Sequence, residues 1–217
     1  VVGPVVGPVA AADDLRAKLR RRPWKERLAH SVTQHLGPDA CEAILAGGEG
    51  IDSASAPTVR ARWAKAVIDR LDASTPADGE TRGMIMEACA CPYSKARIAG
   101  ARKLFRQCAG IGDFLHRAIE AGFLPDREAE YRDGVIYVAK HHSHPGAADP
   151  GTDGFVMHAC HCGWAKGTRD QISATFCLCG AGYYRQFFEQ VLGSPVRVDV
   201  VKSVLRGDSE CVMAIRL

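Results

Sequence analysis

In the first part of the chain the apolar residues recur every three to four positions, the repeat of helices that bury one face. Asp13 to Arg22 predicts a short charged helix. Pro23 suits the first turn of a second helix running to Leu36, because proline lacks only an N–H that is unpaired there, and Gly37-Pro38 stops it. Val59, Trp63, Val67 and Leu71 fall on one face of a further helix that must bury that stripe. Asp72 to Gly79 reads as a polar loop, and Arg82 to Cys91 as a helix ended by Pro92, which holds the residue before it extended. Cys91 is therefore expected to end one helix and stand at the start of the next, on which Ile98, Ala101, Phe105 and Cys108 share a face. Gly112-Asp113 opens another helix with Phe114, Leu115, Ala118 and Ile119 inward, and Gly122 closes it.

From Gly134 the period shortens. Val135 to Val138 reads as a strand, His141, His142, His144 and Pro145 lead into a loop from Gly146 to Gly154, and Phe155 to His158 reads as a second strand. Tyr184, Phe187, Phe188 and Val191 make a helical stripe ended by Gly193. Val196, Val198 and Val200 alternate with polar residues, and past the turn at Arg206-Gly207-Asp208 so do Cys211, Met213 and Ile215, the pattern of an antiparallel hairpin. The expected class is α+β: a helical N-terminal half packed on a small antiparallel sheet that finishes in a C-terminal β-hairpin. Residues 1–12 are expected to be a flexible segment, 13–132 a helical region and 133–217 an α+β region, the last two forming one compact unit.

Charge and composition narrow the partners. The formal net charge of +3 is too small for a groove that neutralises several phosphates, so nucleic acid is set aside. No run reaches the roughly 18 apolar residues of a membrane span, and Val1 to Ala12 repeats Val-Val-Gly-Pro without the positive start of a signal peptide. A soluble, cytoplasmic protein is expected, with a small molecule as its partner and a homodimer as an open alternative. Arg20-Arg21-Arg22 with Lys25 and Arg27 reads as a solvated helix face.

Nine cysteines change the picture more, because six of them form the Cys-x-Cys pairs Cys89/Cys91, Cys160/Cys162 and Cys177/Cys179. That spacing is too tight for a relaxed disulfide within a pair, and without a secretion signal clustered cysteines read as reduced thiols held for metal binding or reactivity. In an extended segment residues two apart share a face, so Cys160 and Cys162 can grip one ion with His158 beside them and His161 opposite. Cys177 and Cys179 precede Gly180-Ala181-Gly182 and a helix, whose free N–H groups and dipole favour a thiolate, and Cys91 has the same expected setting. Zinc, which takes four thiolate or imidazole ligands, is the first candidate; an iron–sulfur cluster and copper(I) are the others. Cys41 and Cys108 lie on apolar faces and read as structural. The expectations are that the three pairs converge and that Cys177 and Cys179 are the most reactive thiols without metal.

The C-terminal segments Cys-Leu-Cys-Gly-Ala-Gly-Tyr-Tyr from Cys177, Val-Leu-Gly-Ser-Pro-Val-Arg-Val from Val191 and Leu-Arg-Gly-Asp-Ser-Glu-Cys ending at Cys211 carry a resemblance. This stretch resembles the 4-vinyl-reductase domain and is similar to the L-2-amino-thiazoline-4-carboxylic acid hydrolase group. The resemblance implies an α+β unit that binds small molecules, with a zinc site whose outer ligands correspond to Cys177 and Cys211. Val200 and Ser203 stand where that pattern has its Glu and its central Cys, so Cys179 or the Cys160/Cys162 pair would supply the replaced ligands. The functional expectation is a hydrolase acting on a small cyclic amide or thiazoline-like substrate through a metal-bound water or through Cys177 or Cys179 as nucleophile, with Glu87 as general base. The alternative is a non-catalytic metal-binding or ligand-sensing domain; a thiol redox protein is the third reading.

Overall fold

The computed structural model describes residues 22–76, 79–124, 128–140, 162–166 and 172–217. Seven helices are found among them: α1 (Trp24–Leu36), α2 (Pro38–Leu45), α3 (Pro57–Ser74), α4 (Glu80–Ala88), α5 (Lys95–Phe105), α6 (Ile111–Glu120) and α7 (Leu178–Leu192). Four strands, β1 (Glu128–Arg132), β2 (Val135–Lys140), β3 (Arg197–Lys202) and β4 (Cys211–Arg216), form one antiparallel sheet in the order β1-β2-β4-β3. The α+β class with a C-terminal hairpin is as the pattern predicts. No helix among the described residues is long and apolar enough to cross a membrane.

Two cores organise these elements. Trp24, Leu28 and Val32 of α1 pack with Trp63, Val67 and Leu71 of α3, Ile85 and Met86 of α4, and Trp164 and Phe176. Trp24 is the hub, its ring centroid 6.2 Å from Trp63, 5.0 Å from Trp164 and 5.7 Å from Phe176. The second core lies between α5, α6, α7 and the sheet, where Phe114, Tyr184, Phe187 and Phe188 meet Ile136, Val138, Val198, Met213 and Ile215. Helix α7 serves both: Leu178 and Cys179 lie against the first core, and the residues from Ala181 onward fill the second. Gly182 is what allows α7 to approach α4 so closely, since a Cβ there would stand 2.3 Å from the Glu87 carbonyl oxygen.

The structure departs from the sequence pattern in particular places. β1 falls in the stretch read as helical; Ala129 and Tyr131 alternate with Glu128, Glu130 and Arg132, but only Ala129 is partly buried, and the strand is set by its hairpin partner β2. The Asp133-Gly134 turn between them has both residues at positive φ, 50° and 77°, the two-residue hairpin turn that Asp-Gly favours. Val59 is 44% exposed, so the α3 stripe is buried only from Trp63 onward. Helix α3 runs on to Ser74, which puts Asp72 inside it, paired with Arg82 at 3.1 Å. Helix α4 stops at Ala88, and Cys91 lies in the extended link before Ser94, whose hydroxyl caps α5 by accepting from the Arg97 N–H. Cys91 is therefore not at a helix start: Pro92 holds it extended, and the cap falls three residues later. Residues 1–12, most of the charged helix predicted from Asp13, the strand predicted from Phe155, and His141, His142 and His144 lie outside the described residues.

Candidate thiolate centre

Each cysteine owes its place to a different local feature. Cys89 caps the C-terminus of α4 and Cys91 follows two residues on. Cys162 opens a turn in which its carbonyl accepts from the N–H groups of Ala165, 3.0 Å, and Lys166, 2.8 Å. Cys177 closes a short 3₁₀ turn (Ala174–Cys177) and caps α7, with Cys179 in its first turn. Cys211 begins β4, directly across from Lys140 of β2.

The fold brings these positions together. Cys89 is fully buried in the first core, and Cys162, Cys177 and Cys179 pack against it. Cys179 lies within charge-interaction range of Cys89, Cys162 and Cys91, and Cys177 within range of Cys211 and Cys162. The described members of all three Cys-x-Cys pairs, with Cys211, thus share one neighbourhood. It is a neighbourhood and not yet a coordination shell: among the described residues no three His, Cys, Asp or Glu groups stand close enough to hold a metal ion as placed. His158, Cys160 and His161 lie outside the described residues.

Several polar groups around the sulfurs are donors, although the Cys89 thiol itself donates to the Ile85 carbonyl at 3.1 Å and Asp208 faces Cys211. Arg27 is only 7% exposed, yet it has no carboxylate partner among the described residues. Its Nε donates to the Cys89 carbonyl at 3.1 Å, Nη1 to the Arg22 carbonyl, and Nη2 to the Cys91 sulfur at 3.8 Å. The Trp24 indole N–H is buried, has no hydrogen-bond partner among the described residues, and stands beside Cys179, where it favours the anion. The N–H groups of Trp164 and Ala165 act the same way on Cys162. Ser203, fully buried, sets its hydroxyl 2.9 Å from the Cys177 sulfur while accepting from the Leu205 N–H at 3.0 Å, and the Val204 N–H donates to the Cys211 sulfur at 3.5 Å.

Burial opposes these donors and wins. It pushes the Cys89 thiol up to about 12 and Cys177 to about 11, and it raises Cys162, Cys179 and Cys211 as well. Cys177 and Cys179 do sit at a helix start, and burial raises both thiols, which acts against the reactivity expected of them there. As free thiols they stay protonated at neutral pH; a bound metal, which deprotonates a coordinating thiol outright, reverses this.

Glu87 does not join the cluster. Its carboxylate takes Arg185 Nη1 at 2.6 Å and lines an open groove of about 380 Å³ with His35, Met84, Arg185 and Glu189. Cys41 donates to the Ala29 carbonyl at 3.3 Å, and Cys108 donates to the Leu104 carbonyl at 3.2 Å beyond the end of α5, both in structural roles. Sequence reasoning missed Arg27, Trp24, Lys140 and Ser203. Arg27 was legible: with Trp24, Leu28 and Ser31 it follows the spacing of the buried face of α1, which outweighs its membership of a basic run.

Neither a curated protein nor a solved structure matches the chain. Residues 150–217 match the model of a family of unknown function (DUF6144), a stretch that holds Cys160, Cys162, Cys177, Cys179 and Cys211 and leaves Cys89, Cys91 and Arg27 outside it.

Proposed function

We propose that this chain is a metal-binding protein whose cysteines hold zinc as thiolates in a non-catalytic centre that ties the helical half to the sheet and suits a structural or ligand-sensing role in a reducing, cytoplasmic setting. The observation that carries the reading is Arg27. A buried guanidinium with no carboxylate partner among the described residues needs negative charge beside it; the acidifiable group it donates to is the Cys91 sulfur, with the Cys89 thiol within range of its charge. Thiolates bound to a divalent ion supply that charge, and the unpartnered Trp24 N–H beside Cys179 is the kind of donor that supports a metal-bound sulfur. The resemblance of Cys177 and Cys211 to the outer zinc ligands of the 4-vinyl-reductase pattern supports the same chemistry. The hydrolase reading has less behind it, because Glu87 is committed to Arg185 and burial raises both proposed nucleophiles.

Elemental analysis of protein purified without oxygen is expected to find stoichiometric zinc, with no visible absorption of the kind an iron–sulfur cluster gives. Chelation is expected to lower the melting temperature by on the order of 10 °C, since structural zinc contributes directly to folding. Protein that takes up no metal when zinc is added, and melts identically with and without chelator, refutes the reading.

A further inference from the structure

We infer that the groove between α6 and the edge strand β1 takes an extended basic peptide segment, which joins the sheet as a further strand beside β1. In the order β1-β2-β4-β3, β1 is outermost, so the sheet uses only one of its edges. The Asp133-Gly134 turn fixes which groups stay open. In a two-residue hairpin the flanking residues, here Arg132 and Val135, exchange hydrogen bonds, and hydrogen-bonded pairs then alternate along the register. The N–H and C=O groups of Ala129 and Tyr131 therefore point away from β2, and among the described residues nothing takes them.

Helix α6 packs along β1 and leaves beside it an open groove of about 660 Å³. One wall is His116, Ile119 and Glu120 of α6, and the other is β1 itself from Glu128 to Tyr131. Ala129 packs on the aromatic core, so by the period of a strand Tyr131 shares its face, while Glu128 and Glu130 project from the opposite one. Tyr131 is 43% exposed and leaves its ring at the groove. A strand laid along β1 thus meets Ile119 and Tyr131 with one set of alternate side chains and Glu128 and Glu130 with the other. In strand addition the main-chain bonds hold the segment and the alternate side chains select it.

Charge names the occupant. Glu120, Glu128 and Glu130 line the groove together with His116, and no lysine or arginine does. Glu120 meets His116 at 3.7 Å and Glu130 meets Arg132 at 4.0 Å, both exposed pairs that compete weakly with an incoming cation. Lysine or arginine at every second position of the added strand stands beside Glu128 and Glu130, a favourable cross-strand pairing. A second copy of the chain fits worse. β1 against β1 sets glutamates beside glutamates. The other free edge, β3, is broken by the irregularity between Val200 and Lys202, and its Arg197 and Lys202 are already paired with Asp199 and Glu210. β2 lies between this edge and the strand of Cys211, so the metal-binding reading does not enter.

The probe is a fluorophore-labelled peptide of alternating threonine and lysine with blocked ends, titrated with the full chain. Anisotropy is expected to show saturable binding that a glutamate-for-lysine version lacks, and hydrogen exchange is expected to slow at the Ala129 and Tyr131 amides of the complex. Methylating one alternate set of the peptide's backbone nitrogens is expected to abolish binding and methylating the other set to spare it, since only one edge of the added strand faces β1. The charge reversal Glu128→Lys/Glu130→Lys is expected to weaken binding roughly tenfold, as two opposite-charge pairs become like-charge pairs. Absence of saturable binding to the wild-type chain overturns the proposal. Both methylated peptides binding as well as the parent leave only a site for cations, and that too overturns it. A wild-type chain that sediments as a dimer with both amides already protected assigns the edge to a second copy instead. The peptide series and the exchange are read on the wild-type chain, so the folding of the variant does not decide the outcome.

Discussion

Between the sheet and α5 to α7, Phe114, Phe187, Phe188, Ile136, Val138 and Ile215 bury rings and aliphatic chains against one another. Beside α1 the core instead encloses the Arg27 guanidinium, the Ser31 hydroxyl and the indole N–H groups of Trp24 and Trp63, among tryptophans and sulfurs. Each buried polar group left unsatisfied costs about 1–3 kcal/mol. The Ser31 hydroxyl and the Trp24 and Trp63 indole N–H groups are such groups among the described residues, whereas Arg27 donates to the Cys89 and Arg22 carbonyls and to the Cys91 sulfur. On the proposed reading a metal-bound thiolate would complete the first core, whereas rings and aliphatic chains close the second. The comparison sets a core built on hydrocarbon burial beside one that also takes in buried polar groups and thiols.

The sharpest way to separate the two is to damage each with and without metal. Phe187→Ala removes a fully buried ring from the second core and is expected to cost about 3–5 kcal/mol in urea unfolding, by the same amount in zinc and in chelator. A loss that appears only with zinc would mean that the two cores are not independent.

Arg27→Met tests the first core and is expected to change sign. With zinc bound, losing the cation beside Cys89 and Cys91 is expected to lower metal affinity roughly 10–100-fold, the range for a supporting partner of a metal ligand. With zinc removed, the same variant is expected to be more stable than wild type by about 1 kcal/mol or more, because a buried charge has been replaced by hydrocarbon. Equal destabilisation in both states would reduce Arg27 to a packing residue.

The mildest probe leaves stability untouched. Limiting alkylation of the folded, metal-stripped chain is expected to label Cys91 first, since it is exposed, and Cys89 and Cys179 among the last, since burial keeps both thiols protonated. Mass-spectrometric ranking reads the order directly. Early labelling of Cys177 and Cys179 would restore the helix-start account that burial acts against here.

Much of the architecture could be read in one dimension, because it depends on neighbours along the chain. The helical repeat gave α1, α3 and α5 to α7, Gly37-Pro38 marked a helix boundary, and the alternation from Val196 to Ile215 gave the β3–β4 hairpin. The Asp133-Gly134 turn and the polar–apolar alternation from Glu128 to Arg132 both carried the signal for β1, an edge strand that buries little of its own surface. The cysteine pairs were equally plain as a chemical theme.

What one dimension could not contain is everything set by distant neighbours. Glu87 sits two residues from Cys89, yet Arg185, 98 positions on, takes its carboxylate. A helix start at Cys177 promises an anionic sulfur, yet the first core packed around it raises the thiol, because desolvation sums over every element in contact and a helix terminus acts over one turn. Arg27 belongs to a basic run by sequence and to a sulfur cluster by packing. The residue types and their spacing set which chemistry is available to this chain; the close approach of α7 to α4 through Gly182, and the burial that follows, decided which cysteines meet and which charges they meet there.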